Sequence, residues 1–371
     1  MIFGSKSKDD PMKDSYLFRY FLLELVLTLS LWSIANFHGL GLTHDSEYYL
    51  NLSRGDHELM WRAQGLLPLI LSMSHEPETA ARWINFASLI CTLLIWMRIV
   101  HRSELDIWGK FFAFSWICLS LPFLAVTSFL WTEPLFIVIS STVFLFLQVW
   151  SKRKVLLESL LLIPLLILAV WARKIGLVLA CSVAIYVASC FMDSKSHRHL
   201  LYLVSACLLL SGWLFIFNGE RPEPQFIAQN LIFNVNALIN WFLPTSVPQS
   251  LRVLFGTSFA IFFIFSQQSS ELSRFFWIYF VIYFLVRLPI EREFAEEADR
   301  YFAIMHAPFF FILAHHLKFV LPQKTIIKRM VNLTIAFLIV ISLFRMSFSA
   351  FRWQQSRAVQ QSPNKCSATL Q

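Results

Sequence analysis

Charged side chains are scarce in this protein. Asp, Glu, Lys and Arg supply 15% of its 371 residues, where a water-soluble domain carries about 25%. So few charges cannot cover a soluble fold of this size. Glycine is also sparse, at 10 residues, and no glycine-rich phosphate loop, Ser-His-Asp signature or HExxH helix occurs. Six cysteines are present, at positions 91, 118, 181, 190, 207 and 366. Five lie inside apolar runs, and no CxxC or Cys/His metal spacing links them, so they read as small buried hydrophobes. The net charge of +8 is dispersed over loops without forming a basic patch, which excludes a nucleic-acid partner.

Apolar residues fill the space instead. Hydrophobic side chains make up 57% of the chain, and Phe alone occurs 38 times. Lipid must be the solvent for much of this surface. Apolar runs fall at about 16–38, 79–100, 107–126, 133–150, 155–171, 175–192, 199–218, 251–266, 274–290, 302–320 and 330–348. The expected fold is therefore all-α, a polytopic transmembrane helical bundle of about 11 spans (range 9–12). Residues 1–350 form the membrane domain, with outer loops at about 39–78 and 219–250. Residues 351–371, rich in Gln and Ser, read as a disordered tail. The first run is long, carries Glu24 and lacks a small-residue cleavage site, so it reads as a retained anchor.

Orientation follows from Lys and Arg in short loops. The clusters Lys152-Arg153-Lys154 and Lys324-Lys328-Arg329 put the N-terminus in the cytoplasm. Acidic residues barely influence insertion, yet they gather on the outer side of this topology. An outer functional site explains that asymmetry, and ordinary solvated loops are the plainer alternative.

Four outer clusters carry chemistry. His44-Asp45-Ser46-Glu47-Tyr48-Tyr49 offers two carboxylates at a spacing that can share a cation or supply a base and an orienting group. It also fits a solvated loop with interfacial aromatics. Glu133 precedes Pro134 at the start of a helix, where an acid also serves the helix dipole. Arg173-Lys174 interrupts an apolar stretch on the side the Lys/Arg rule disfavours. Such a pair can grip a phosphate, or snorkel to headgroups. Arg300-Tyr301 follows a run of acids at the entry to a late helix. Glu24 and Glu158 lie within spans and read as acids packed against polar neighbours.

These four clusters, in this order, resemble the motifs of the GT-C superfamily of polytopic glycosyltransferases, and mannosyltransferase-like members in particular. The matching stretches are Asp45-Ser46-Glu47 with Tyr48, Arg62 and Leu67-Pro68; Thr132-Glu133-Pro134-Leu135-Phe136; Arg173-Lys174-Ile175-Gly176; and Arg300-Tyr301 with Pro308. The resemblance implies a sugar donor on polyprenyl phosphate, used on the outer face of a bacterial plasma membrane. The acceptor would be a lipid, glycan or protein. Asp45 would be the general base with Glu47 assisting, while Arg173, Lys174 and Arg300 stabilise the departing phosphate. His44, Tyr48, Tyr49, Arg62, Glu133 and Tyr301 complete the expected substrate contacts. No cofactor and no metal is expected, although Asp45 and Glu47 have the spacing to share a divalent ion. A transporter or flippase for lipid-linked saccharide, or a polysaccharide polymerase, is the alternative; a transporter would call for broken helices and an internal repeat.

Overall fold

A computed structural model of the chain describes residues 11–55, 65–151, 160–192, 224–243, 270–287, 298–320 and 325–360, with positions 247, 248, 250–252, 254 and 256. The described residues are helical almost throughout, and their one strand-like feature is an isolated parallel bridge between Gly41 and Phe129. The expected spans at 199–218 and, for the most part, 251–266 fall outside the described residues. So do Arg62, Lys152-Arg153-Lys154, Lys324, Glu158 and the acids at 291–297.

The helices are α1 (Pro11–Ala35), α2 (His44–Gly55), α3 (Leu66–Ser72), α4 (Pro77–His101), α5 (Ile107–Cys118), α6 (Leu121–Ser128) and α7 (Glu133–Trp150). They continue as α8 (Leu162–Ala172), α9 (Gly176–Cys190), α10 (Pro224–Asn240), α11 (Glu271–Arg287), α12 (Ala298–Phe302), α13 (His306–Val320) and α14 (Thr325–Gln360). A 3-10 turn at Ala303–Met305 joins α12 to α13. Among the described residues, five stretches are long and apolar enough to cross a membrane: Ser15–Ala35, Pro77–His101, Ile107–Ser128, Glu133–Trp150 and Asn332–Ala358. Helices α8 and α9 are apolar but shorter.

Within lipid, apolar burial does not by itself drive helices together, so packing and interhelical hydrogen bonds must do so. The phenylalanines supply the packing. Trp96 on α4 lies 5.6 Å from the Phe276 ring of α11 and 6.1 Å from both Phe144 of α7 and Phe311 of α13. Trp116 on α5 stacks on Phe310 of α13 at 4.6 Å. Polar ties lock the α4–α7 pair: Trp96 Nε1 donates to Ser141 Oγ at 3.1 Å, and Gln148 Nε2 donates to the Ile99 carbonyl at 2.9 Å.

The run expected as one span at 107–126 is broken at Leu119-Ser120. Ser120 caps α6 by accepting from Phe123 N at 3.1 Å, and Pro122 starts the new helix. A break at this depth frees carbonyls that lipid cannot satisfy. Thr28 Oγ1 of α1 donates to the Cys118 carbonyl at 3.2 Å, and Ser342 Oγ of α14 donates to that of Leu119. Two of the opened carbonyls are thus satisfied from within the protein.

Two expectations at the chain's ends of helices need correcting. The segment 351–360 is not a disordered tail: α14 continues to Gln360, and Arg357 within it is buried. Its 36 residues span about 54 Å at 1.5 Å per residue, well beyond the roughly 30 Å hydrocarbon core. Helices α2 and α3 also fold within the stretch expected as an outer loop at about 39–78. Helix α14 turns a stripe of Leu333, Phe337, Val340, Phe344, Phe348 and Phe351 outward, the spacing of a single lipid-facing helix side.

Candidate functional site

Helices α1, α6, α8, α11 and α14 finish at one end of the bundle, where α7 and α9 begin. The site forms there because three turns bring charge to that end. Gly39, at φ 105°, reverses the chain after α1. Gly41 then pairs with Phe129: its N–H donates to the Ser128 carbonyl at 2.9 Å, and Leu130 N–H returns to the Gly41 carbonyl at 3.0 Å. Ser46 Oγ donates to the Leu130 carbonyl at 2.9 Å, and Trp131 Nε1 donates to Thr43 Oγ1 at 2.9 Å. Helix α2 is thereby stitched to the segment that opens α7.

The second turn joins α8 to α9. Arg173 ends α8 in an extended conformation, and Gly176 N–H donates to its carbonyl at 2.8 Å. The geometry turns Arg173 inward and leaves Lys174 exposed. A Cβ on Gly176 would collide with the Ala169 backbone, so the Arg-Lys-Ile-Gly turn requires glycine at its last position. The third is the entry to α12 and α13, which delivers Arg300 and Tyr301.

Four residues distant in sequence meet in one ion-pair network. Arg300 Nη1 donates to Asp45 Oδ2 at 2.6 Å, and Arg300 Nε donates to Glu133 Oε1 at 2.6 Å. Arg173 pairs with the same Glu133 oxygen, and its Nη1 also reaches Thr132 Oγ1 at 3.4 Å. Glu133 is fully buried, and its Oε2 has no protein partner. The Asp45 side chain keeps 43% of its surface open. The network thus grades from a sealed acid to an open one, with Arg300 touching both.

Aromatic faces frame the cations. The Arg300 guanidinium lies 4.0 Å from the Trp131 ring, and Tyr301 is approached by Arg287 at 4.4 Å, Arg173 at 5.2 Å and Arg300 at 5.5 Å. Tyr283 Oη donates to the Tyr301 carbonyl at 2.7 Å and holds that turn. Burial opposes the charge on Arg300 and Arg173, but Glu133 overcomes it and holds both above the ordinary guanidinium range. Burial, reinforced by the Glu133 charge, pushes the Tyr49 phenol up to about 12, and Tyr49 hydrogen-bonds with Thr132.

Of the residues singled out from sequence, Asp45, Tyr49, Glu133, Arg173, Arg300 and Tyr301 come together. His44, Glu47, Tyr48 and Lys174 are exposed. Asp45 and Glu47 begin a helix, so their side chains project about 200° apart and do not converge on one ion. Among the described residues no group of three His, Cys, Asp or Glu could hold a metal. Arg287, Trp131 and Thr132 belong to the network although the sequence reading gave them no role. Arg287 ends an apolar run, where a snorkelling cation is the ordinary explanation. Trp131, three residues before Pro134 in the first turn of α7, carried a signal in its place beside Glu133.

No protein-family model, curated protein or solved structure matches this chain.

Proposed function

We propose that this protein is a multi-pass glycosyltransferase of the GT-C type, with about eleven spans and its site on the outer face of the membrane. It transfers a sugar from a polyprenyl-phosphate donor to an acceptor hydroxyl of a lipid, glycan or protein. The observation that carries this reading is the meeting of Asp45, Glu133, Arg173 and Arg300, from four separate segments, at one end of an apolar bundle. A structural salt bridge needs two groups. Here two arginines and two carboxylates are held with one carboxylate left open.

In the proposed reaction the open carboxylate, Asp45, takes the proton from the acceptor hydroxyl. The hydroxyl oxygen forms a bond to the anomeric carbon, and the bond from that carbon to the phosphate oxygen breaks. The departing polyprenyl phosphate keeps the electron pair, and Arg300 and Arg173 neutralise it. Arg300 contacts Asp45. A phosphate that draws Arg300 away frees the carboxylate to act as a base, which couples donor binding to activation of the acceptor. Glu133 stays behind as the fixed counter-charge that orients both guanidinium groups.

Among the described residues, the α5–α6 break favours a transporter, whose broken helices present open backbone to cargo. Thr28 and Ser342 already bond to the Cys118 and Leu119 carbonyls at the break and tie it to neighbouring helices, and the transferase reading is preferred.

The test uses the purified protein in lipid nanodiscs with a panel of radiolabelled polyprenyl-phosphate hexoses and a crude lipid and glycan acceptor fraction. Release of polyprenyl phosphate with label moved to the acceptor is expected, and Asp45→Asn should abolish it. Arg173→Lys should raise the donor KM more than the acceptor KM. Turnover by Asp45→Asn at the wild-type rate overturns the assignment of the base. Movement of intact donor across the bilayer without sugar transfer overturns the enzyme.

A further inference from the structure

We infer that Arg357, with Trp353 one turn before it, is a positioning residue for the Asp45–Arg300–Glu133 network. This rests on the reading of that network as the site of transfer. Arg357 stands more than fifty residues from the nearest of these groups in sequence and touches none of them. It acts on the backbone that carries them.

Helix ends leave carbonyls without intrahelical partners. The guanidinium of Arg357, 6% exposed, gathers those of two helices at once. Its Nη1 donates to the carbonyls of Ala35 at 2.6 Å and Gly39 at 3.1 Å, and to Asn36 Oδ1 at 2.8 Å. Its Nη2 donates to the Ser128 carbonyl at 2.8 Å. The ends of α1 and α6 are joined through this one side chain. Ser128 O is also the acceptor for Gly41 N–H, so Arg357 sits directly on the Gly41–Phe129 bridge. The bridge is packed against it closely: a Cβ on Gly41 would fall onto the Phe129 ring and lie 2.9 Å from Arg357 Nη2.

From the bridge, contact continues to the site without a gap. The Arg357 guanidinium lies 5.3 Å from the Phe129 ring centre, and Trp353 meets the same ring edge-on at 5.9 Å. Phe129 stacks on Trp131 at 4.7 Å, and Trp131 lies under Arg300 at 4.0 Å. On the other branch, Gly41 leads to Thr43 and Ser46, which are bonded to Trp131 and Leu130, and Asp45 lies between them. Helix α14 thus sets the spacing between Asp45 and the arginine it faces. Lysine cannot reproduce this, because its ammonium has three donors and no fixed fork.

Two readouts test the inference on the full-length chain in nanodiscs. The first is geometric and independent of activity. With the native cysteines replaced, spin labels at Tyr48→Cys on α2 and Leu177→Cys on α9 report the distance across the site. One narrow distribution is expected with Arg357 present. It should broaden or shift in Arg357→Ala, with Arg357→Lys and Trp353→Ala falling between. The second is turnover of polyprenyl-phosphate [14C]mannose, or whichever hexose donor proves active. Misplacement of a reacting group by about 1 Å costs up to about 100-fold in rate. Arg357→Ala is therefore expected to lower kcat by about 10- to 100-fold, while the donor KM, set by Arg173 and Arg300, moves less than about threefold. A purely structural residue would lower the amount of folded protein and leave the distance and the KM-to-kcat split of the remainder unchanged, and that result overturns the inference. Should Arg357→Ala fail to fold, the lysine and Trp353→Ala variants decide in the same way. A shifted distance with no turnover in the parent protein refutes the proposed function and leaves the positioning role standing.

Discussion

Replacing Glu133 by glutamine should destabilise this protein far more than one surface acid normally would. The carboxylate is fully buried and one of its oxygens serves both Arg173 and Arg300. Two guanidinium–carboxylate pairs with charge centres about 4 Å apart each supply about 4 kcal/mol at an effective dielectric of about 20. Burying the ions offsets several kcal/mol per charge, so the assembled network contributes little net. Removing its central anion is different, because the two cations stay buried and face each other. The expected cost is about 3–5 kcal/mol. Glutamine keeps an oxygen acceptor for both arginines and puts its amide where the unpartnered second oxygen lies, so what it removes is the negative charge. Arg173→Met alone leaves Glu133 with Arg300 and should cost less. Made together, the two substitutions should be less damaging than their sum, because the second removes one of the cations that the first left stranded. The measurement is a double-mutant cycle of unfolding by SDS in mixed micelles, followed by tryptophan fluorescence. A coupling of at least about 1 kcal/mol is expected for residues in direct contact. Single costs below about 1 kcal/mol that add within about 0.5 kcal/mol would refute the reasoning, since Glu133 would then not hold the arginines.

The two acids of the first motif should part company. Asp45→Asn removes a half-exposed partner of Arg300, worth about 1 kcal/mol or less to stability, and should insert normally yet lose transfer. Glu47→Gln, on the opposite side of α2, should keep its rate within about twofold by the same donor assay, and a larger loss would return Glu47 to the site. Gly176→Ala should lower thermal stability in detergent by several degrees, because the new Cβ meets the Ala169 backbone and overpacking costs about 1–3 kcal/mol. Impermeant maleimide added to right-side-out vesicles should label Tyr48→Cys and Gln355→Cys from the same side, and Arg102→Cys only after permeabilisation. Labelling of positions 48 and 355 from opposite sides would contradict the contact of Arg357 with Ala35.

Much of the charge chemistry was legible because lipid makes ionisable groups conspicuous. Asp45, Glu133, Arg173 and Arg300 each stand at the edge of an apolar run, where retention needs a reason. Helical phase was not legible in the same way. Read as a loop, Asp45-Ser46-Glu47 pairs its acids; wound into α2, it separates them, and only Asp45 faces Arg300. The α5–α6 break did carry a signal, Ser120 followed by Pro122, a helix-start pattern hidden inside an apolar stretch that passed for one span. The true length of α14 was hidden by its polar outer turns. Arg352, Gln354, Gln355 and Arg357 look like the end of a span, but they are good helix formers. Arg287 and Arg357 each depend on partners far away in sequence, Tyr301 for one and the ends of α1 and α6 for the other. No local pattern announces such pairings.

Helix α14 also imposes an order on biosynthesis. Ribosomes make it after every other part of the network, yet it supplies the donors for the carbonyls of Ala35, Gly39, Leu119 and Ser128. Until it inserts, the earlier helices stand with backbone acceptors open at the end of the bundle that carries the charged network and at the α5–α6 break. A nascent chain interrupted before α14 is therefore marked as unfinished by its own polar groups. The same helix that completes the scaffold also fixes the backbone beneath the charged network, so a chain assembled only in part would lack both.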